Sequence, residues 1–506
     1  MSGTATPARK RNVLPPEFVR AMLAGHSALG LALAALIYIV CLSGTLSVFV
    51  YELQRWEQPD APLVQGAASP AALDAAVRNG NTQAMADNAA HDVFVMAPGT
   101  MSPRFAVSYH DHETGVEGTW LADAGGNLVT RVKAPWAEFV ADLHMHLHLP
   151  RTWGLFLVGL TGVALLSSLI SGLLSHPRIF KDAFAFRRGG SYRLQEADLH
   201  NRLGVWGLPF HVAVSLTGAL LGLSTLIVGV LAMAAYDGDS KKAFATILGP
   251  QPSEDETAAP IPDIAAMIAK VQAQQAQAIV SNIHVGHIGK AGQIITVNMR
   301  SPGHLPFGNP YAFDAKGELI NVGGLETGSV GQQILGVLQP IHFGWFGGIA
   351  VKIAYGILGL ALTVITHTGV TIWLARRRDK GRPAPGWERV WAAVGWSQPL
   401  AFATTAIAAL LSAASGLIWI YLATVAASFL VARLASDGIA TTLILRALSA
   451  AGVVAAVAQH ITLWRQGMND PMAWAVNASM LLGAALIAAP VLLRRGPSHQ
   501  PAQQTG

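Results

Sequence analysis

The chain has 506 residues, of which 52% are hydrophobic and 12% are charged. Soluble proteins usually carry about 25% charged residues, so this composition excludes an ordinary soluble protein and indicates one that spans a membrane. The formal net charge of +5 does not require a nucleic-acid partner, because the basic residues cluster beside apolar stretches, as in the cytoplasmic loops of membrane proteins.

Eight apolar windows predict eight transmembrane helices, because each is near the length that crosses a hydrocarbon layer of about 30 Å. They cover residues 21–50, 152–175, 200–234, 346–375, 391–411, 415–434, 439–463 and 472–494. The first window is too long for the core of a signal peptide and lacks a cleavage site of small residues, which favours a retained helix.

The basic segments predict the orientation of these helices. They read ATPARKR, HPRIFKDAFAFRRGG, ARRRDKGR and LLRRG. With these segments in the cytoplasm, the N- and C-termini are cytoplasmic and two large loops lie outside, in the periplasm if the cell is a Gram-negative bacterium. We therefore predict a multi-pass protein of the bacterial inner membrane.

This topology divides the chain into six segments. They are the cytoplasmic N-terminus with the first helix (1–51), a first outer domain (52–143), the second and third helices with a basic cytoplasmic loop (144–234), a second outer domain (235–341), the fourth helix (342–380) and a C-terminal extension of four helices (381–506). Each outer domain is predicted to contain one helix and a small antiparallel sheet that ends in a hairpin.

The first and third helices are predicted to be copies of one another. His26 lies 18 residues before Gly44, and His200 lies 18 residues before Gly218. A bundle of two similar halves with the same orientation has an approximate two-fold axis along the membrane normal. Equivalent residues, here His26 and His200, are expected to face each other across that axis.

The second and fourth helices repeat as well. Two glycines 13 residues apart occur in each, as Gly159 and Gly172 and as Gly356 and Gly369. Counting back from these glycines places His342 opposite Met145, the neighbour of His144. Histidines therefore align at both ends of the duplicated helices.

Paired histidines on facing helices are typical axial ligands of haem, because a planar haem takes one imidazole from each side. We predict two b-type haems, one held by His26 and His200 near the cytoplasmic face and one by His144 and His342 near the outer face. Cys41 is the only cysteine, which excludes a CxxCH attachment site, disulfides and iron–sulfur clusters within the chain. The predicted fold class is an all-α polytopic membrane protein with a duplicated four-helix haem-binding core, four C-terminal helices and two small outer α+β domains.

Other histidines leave the ligand assignment open. His148 shares a helix face with His144 and is a second candidate there. His211 and His367 lie deeper in the third and fourth helices and are candidates for an inner haem ligand or a proton path. His176, at the end of the second helix, is a weaker candidate.

The distance between the two predicted haem layers requires bent helices. A continuous helix from His144 to His176 would separate the layers by about 48 Å, which is long for one electron transfer step. Pro150 and the sequence FGWFGG predict breaks. His144 and His342 are therefore expected on bent segments that fold back towards the core.

The outer domains contain further histidines, which we interpret as solvated surface residues without a role, although they could bind a metal. They are His91, His110, His112, His284, His287 and His304.

The pattern resembles the PepSY-associated transmembrane family, often described as iron-regulated membrane proteins and including siderophore reductases. The resemblance covers about residues 15–380 and rests on the His-x-x-Leu-Gly sequences at His26 and His200, the sequence LHMHLHLP from Leu143, the sequence PIHFGWFGG around His342, and two outer domains similar to PepSY modules. It implies that b-type haems pass electrons from a cytoplasmic donor to a ferric siderophore or similar iron chelate outside. Iron would then be released, because Fe(II) binds hard oxygen ligands less tightly.

The four C-terminal helices depart from the smallest members of this family. They contain one histidine, His460, and could serve as scaffold, as a docking site for the electron donor or as a transport path. Two other functions remain open from the sequence. One is a haem-free siderophore or metal permease, and the other is a sensor or regulator that acts through the PepSY-like domains.

Overall fold

A computed structural model describes residues 14–89, 91–99, 101–112, 114–176, 178–184, 191–306, 308–412 and 414–493. The basic segment ATPARKR and parts of the segments HPRIFKDAFAFRRGG and LLRRG lie outside these residues. The described chain is mostly helical and contains one antiparallel sheet.

The helices and strands alternate along the chain. The helices are α1 (Pro16–Ala32), α2 (Ala34–Ser47), α3 (Val50–Glu57), α4 (Pro70–Ala86), α5 (Pro135–His146), α6 (Arg151–Ser175), α7 (Ile179–Ala183), α8 (Tyr192–Trp206), α9 (Leu208–Gly222), α10 (Ser224–Ala235), α11 (Ser240–Leu248), α12 (Ile264–Gln272), α13 (Val330–Phe343), α14 (Gly348–Asp379), α15 (Pro385–Leu410), α16 (Leu417–Leu434), α17 (Gly438–Leu463) and α18 (Pro471–Leu492). The strands are β1 (Asp92–Met96), β2 (Phe105–His110), β3 (Glu117–Ala122), β4 (Leu128–Arg131), β5 (Ile279–Gly286), β6 (Ile294–Arg300), β7 (Asn309–Phe313) and β8 (Leu319–Val322).

Five described helices are long and apolar enough to cross a membrane by length and composition, or up to seven if each of two bent pairs is one span. The five are α6, α14, α16, α17 and α18, and the bent pairs are α1 with α2 and α8 with α9. The helix predicted at residues 391–411 forms as α15 but is not among these spans. Ser397, Gln398 and Pro399 make the middle of α15 less apolar than the other spans.

The chain divides into two compact units. The first contains Met1–Val48, Leu143–Thr225 and Ile353–Ala384, and the second contains Phe49–Asp142, Leu226–Lys352 and Pro385–Gly506. The first unit thus collects the repeated helices predicted as the core. The second unit contains both predicted outer domains and the C-terminal helices.

The bends in the first unit follow the sequence duplication. α1 and α2 meet at Leu33 at 70°, and α8 and α9 meet at Gly207 at 71°. Each break comes seven residues after the repeated histidine, His26 or His200. The windows predicted as single helices at 21–50 and 200–234 are therefore broken helices. Pro209 in the first turn of α9 accounts for the second break, because proline has no N–H to donate into the preceding turn.

Close packing between α6 and α9 depends on glycine. A Cβ atom on Gly222 would lie 2.6 Å from the Cα of Gly159, so a side chain at Gly222 would force the helices apart. Small residues at such crossings let helix backbones approach closely in membranes. The repeated Gly159 therefore has a packing role within the first unit.

The expected breaks before the second and fourth predicted helices are confirmed. α5 ends at His146 and α6 begins at Arg151, after Pro150. In the same way, α13 ends at Phe343, and Gly344 follows it in the left-handed conformation at φ 71° before α14 begins. His144 and His342 therefore lie on short helices of their own.

The two predicted sheets are joined into one sheet of eight strands in the second unit. The strand order is β4-β3-β2-β1-β5-β6-β7-β8, and every neighbouring pair is antiparallel. Each predicted outer domain contributes four strands and one helix, α4 or α12, to a common core. The prediction of two separate sheets was wrong, because the edge strands β1 and β5 pair with each other and so satisfy their backbone groups.

The C-terminal helices are tied to α3 within the second unit. The Trp56 side chain is fully buried, stacks on His460 at 4.4 Å between ring centroids, and donates a hydrogen bond to Asn477 at 2.8 Å. Arg55 forms a bidentate ion pair with Asp470. His460, the histidine of the four C-terminal helices, is thus a buried packing residue of the second unit.

We expect Asp470→Ala to lower the thermal unfolding midpoint of the detergent-solubilised protein strongly. The Asp470 side chain is 1% exposed, and removing one partner of a buried ion pair costs about 3–5 kcal/mol. The Asp470 carboxylate also caps α18 by accepting from the N–H of Met472. Asp437→Ala is the matched control, since Asp437 caps α17 at an exposed position, and losing a cap costs about 1 kcal/mol. Equal midpoints for the two variants would contradict a stabilising role for the ion pair.

Candidate functional site

The imidazole of His26 lies against α6 in the first unit. Its Nδ1 is 2.9 Å from the carbonyl oxygen of Ser168. The ring covers Gly172, where a Cβ atom would come within 3.2 Å of the His26 Cε1. Because a carbonyl only accepts, Nδ1 donates and carries the proton, which leaves the lone pair of a neutral imidazole on Nε2.

His200 repeats this arrangement on α14. Its Nδ1 lies 3.0 Å from the carbonyl oxygen of Ile365, with the hydroxyl of Thr368 at 3.1 Å. The ring lies over Gly369, where a Cβ atom would be 3.5 Å from the His200 Cε1. Gly369 is the residue that the sequence repeat matches with Gly172, so the two copies hold their histidines in the same way.

His144 shows the arrangement a third time, on α2. Its Nδ1 lies 3.0 Å from the carbonyl oxygen of Val40. A Cβ atom on Gly44 would lie 2.6 Å from the His144 Cε1. In all three cases the accepting carbonyl lies four residues before the covered glycine, because in an α-helix that carbonyl lies one turn away on the same face and glycine leaves it uncovered.

The rings of His26 and His200 face each other. Their centroids are 6.2 Å apart and their planes are inclined by 78°. A metal–imidazole bond is about 2 Å long, so two imidazoles bound to opposite sides of one metal ion have centroids about 6 Å apart. The separation of these two rings therefore fits a single six-coordinate metal between them.

The partner predicted for His144 lies in the other unit. His342 is in the last turn of α13, with its ring 5.2 Å from that of Phe343. The ring of Phe343 stacks on Trp345 at 4.3 Å. The pairing of His144 with His342 stays a prediction.

Two deeper histidines also lie in the first unit. His211 is fully buried, and among the described residues neither of its nitrogens has a hydrogen-bond partner. Its ring lies against Gly207, at the bend between α8 and α9. His367 lies 5.9 Å from the ring of Tyr38. Burying an imidazole is costly, so both His211 and His367 stay second-tier candidates.

The remaining candidates lie at helix ends. His148 follows α5 at a φ of 52°, with its ring 6.0 Å from His146. His176 ends α6. His144 differs from His148 in its recorded hydrogen bond to the Val40 carbonyl of α2, and the choice between them as a ligand stays a prediction.

A second group of polar residues surrounds Asp92 in the sheet. Asp92 Oδ1 is 2.9 Å from His91 Nδ1 and accepts from the backbone N–H of His287 at 3.1 Å. Asp92 Oδ2 lies 3.2 Å from His112 Nε2 and 3.5 Å from His284 Nε2. The ligand atoms of His91, Asp92 and His112 all lie within 4.8 Å of one another.

These contacts keep the Asp92 carboxylate ionised. Burial raises its pKa, but its histidine partners, His284 first, lower it by more, and the pKa lies well below the ordinary value. Such a group stabilises the fold above the ordinary carboxyl pKa of about 4, and the stabilisation is lost as the pH falls.

The expectation that the outer histidines are solvated surface residues was wrong for His91, His110, His284 and His287, which are only partly exposed, whereas His112 is 61% exposed. His304 is exposed, as expected. The sequences HDVF, HDH and HVGH contain the histidines of this group. HDVF begins β1, and HDH and HVGH lie at the ends of β2 and β5, the two strands that pair with β1. The sequence alone did not show that these strand ends meet.

Apolar helices in a duplicated bundle, with matched histidines on the copies, define a polytopic membrane protein. The chain belongs to the family described as the PepSY-associated TM region, whose model matches residues 23–376. The resemblance inferred from the motifs is thereby confirmed. The chain is also similar to the uncharacterized protein PA4219 of Pseudomonas aeruginosa, with 28% identity over 254 aligned positions; the match covers 48% of this chain and 64% of that protein. The chain thus spans a little less than two thirds of the length of this relative.

Proposed function

We propose that the protein is a di-haem electron carrier of the bacterial inner membrane that reduces a ferric siderophore or similar iron chelate in the periplasm. The observation that carries this proposal is the pairing of His26 and His200. Their rings are 6.2 Å apart, and each Nδ1 is engaged by a backbone carbonyl of a neighbouring helix.

The residues of this pair fit b-type haem. A hydrogen bond from Nδ1 fixes the tautomer and orientation of a ligating imidazole and makes Nε2 a better electron donor to the metal. A glycine lies beside each ring: a Cβ atom would come within 3.2 Å of the His26 Cε1 at Gly172, and at Gly369 it would lie 3.5 Å from the His200 Cε1. His144 has the same support at Gly44, and with His342 it would hold the second haem.

Haem iron held between two imidazoles exchanges one electron at a time. His26 and His200 would hold one haem and His144 and His342 the other, and the apolar helices would exclude water from each site. Each ferric ion of the acceptor gains one electron, which is lost by an unidentified donor on the cytoplasmic side, and no atom is transferred. Iron is released because Fe(II) is held less tightly than Fe(III) by hard oxygen ligands.

The proposal is tested with the full chain purified in detergent after expression with ample haem supply. A reduced-minus-oxidised difference spectrum should show low-spin b-type haem at about two haems per chain. In vesicles loaded with reductant, external ferric citrate should then be reduced, as measured with a ferrous-specific dye. Vesicles that contain the His200→Ala variant are the control for leakage.

A haem-free permease is the second candidate, favoured by the buried His211, which has no hydrogen-bond partner among the described residues. Purified protein without a Soret band would overturn the haem proposal. Uptake of ferric citrate into the same vesicles, without a redox change, would then support the permease.

A further inference from the structure

The histidines around Asp92 lie on one face of the eight-stranded sheet. Val93 and Val95 of β1 belong to the core beneath α4 and α12. Side chains alternate along a strand, so Asp92 and Phe94 point to the opposite face. His284 pairs with Phe94 in the register of β1 and β5, and its ring stacks on Phe94 at 4.0 Å.

Both halves of the duplication contribute imidazoles to this group. His91, His110 and His112 come from the first outer domain, and His284 and His287 come from the second. The ring of His91 lies 5.3 Å from that of His112 and 4.4 Å from that of His287. The rings of His110 and His112 are 4.5 Å apart. Five imidazoles therefore surround one carboxylate where β1 joins the two halves.

Several nitrogens of this group lack hydrogen bonds. Among the described residues, His110 Nδ1, His284 Nε2 and His287 Nδ1 are buried and make no hydrogen bond of ordinary length. The carboxylates near them, on Glu117, Asp92 and Glu256 respectively, lie at 3.6, 3.5 and 3.6 Å. Buried nitrogens with only such long contacts are poorly satisfied, and a bound ion is one recognised explanation.

We propose that His91, Asp92 and His112 bind a divalent transition-metal ion, with His284 or His110 in reach as a fourth ligand. Three ligands on one zinc ion lie about 3.4 Å apart. The three ligand atoms lie within 4.8 Å of one another. Small side-chain rotations would bring them to the spacing that a zinc ion requires.

The donor set selects the class of ion. Imidazole nitrogens suit Zn(II), Cu(II), Ni(II) and Fe(II), whereas Ca(II) and Mg(II) require mainly oxygen ligands. A metal held by His91 and His284 would link the first and second halves across the β1–β5 pair, and would stabilise the sheet where the two repeats meet. This proposal does not depend on haem or on electron transfer.

The test uses the full chain with a tag that contains no histidine, stripped with a chelator and titrated with ZnCl₂. We expect the wild type to retain one tightly bound zinc ion, measured by elemental analysis and calorimetry. His112→Ala should bind zinc about 10- to 100-fold more weakly, and His91→Ala/His112→Ala should lose the site. His112 is 61% exposed, so its truncation should leave the fold intact.

His304→Ala is the matched control. His304 follows Arg300, which pairs with Ile279 at the end of the β5–β6 ladder opposite to Gly286, and so lies away from the group around Asp92. This variant should bind zinc like the wild type, and haem absorbance should be the same in all variants. Zinc binding that is unchanged in His91→Ala/His112→Ala would overturn the proposal. So would X-ray absorption of the wild-type zinc site that lacks imidazole scattering.

Discussion

His200→Ala is expected to remove one of the two proposed haems from the protein. The ring of His200 is 6.2 Å from that of His26, and without it the iron would keep one imidazole. The haem-to-protein ratio should fall by about half, and any residual haem at this site should become high-spin. Pyridine haemochrome assays and electron paramagnetic resonance measure these two quantities. His26→Ala should give the same result, because the two residues share one site.

A matched histidine checks that the effect is specific. The Nδ1 of His146 bonds to the nearby carbonyl of Leu149, which makes this side chain part of a local turn. His146→Ala should keep both haems. If His200→Ala also kept both, with unchanged spectra, His26 and His200 would not be a ligand pair.

Gly44→Ala is expected to weaken the second haem site without removing any histidine. A Cβ atom at Gly44 would lie 2.6 Å from Cε1 and 2.8 Å from Nδ1 of His144, so the ring must move and lose its bond to the Val40 carbonyl. Loss of such outer support typically costs about 10- to 100-fold in metal affinity. Haem retention during dialysis against apomyoglobin measures the change.

The other two glycines that lie beside a histidine ring give a graded series of contact distances. The corresponding contact is 3.2 Å at Gly172 and 3.5 Å at Gly369, and the second is an ordinary van der Waals distance. We therefore expect Gly172→Ala to weaken the haem held by His26 slightly and Gly369→Ala to leave haem binding almost unchanged. Gly229→Ala is the control, since no atom of the described residues lies within 4 Å of a Cβ there. An order of effects unrelated to these distances would contradict the proposed role of the glycines.

These predictions bear on the glycine pattern found in the sequence. Gly172 and Gly369 are recognisable as repeated residues from their spacing alone. Their role is not, because each supports a histidine on another helix, and the carbonyl that His26 meets is 142 residues away in the chain. The duplication therefore located the candidate site, and the packing of the helices explained how the site is built.

The sequence by itself determined the class of protein, the positions of most helices, the duplication and the histidines at its two ends. Hydropathy, charge and spacing are local properties, and a membrane helix is long and apolar enough to be seen in them. The break at Pro150 was also predictable, because proline removes a backbone donor at a known position.

Only the tertiary structure decided where α1 and α2 bend, how the strands of the two outer domains pair and what surrounds Asp92. Leu33 has no proline beside it, and the β1–β5 pair joins residues almost 200 positions apart, such as His287 and Asp92 at a separation of 195. Such contacts depend on which surfaces meet once the helices and strands have formed. For this reason histidines that looked like scattered surface residues in the sequence converge on one carboxylate in the fold.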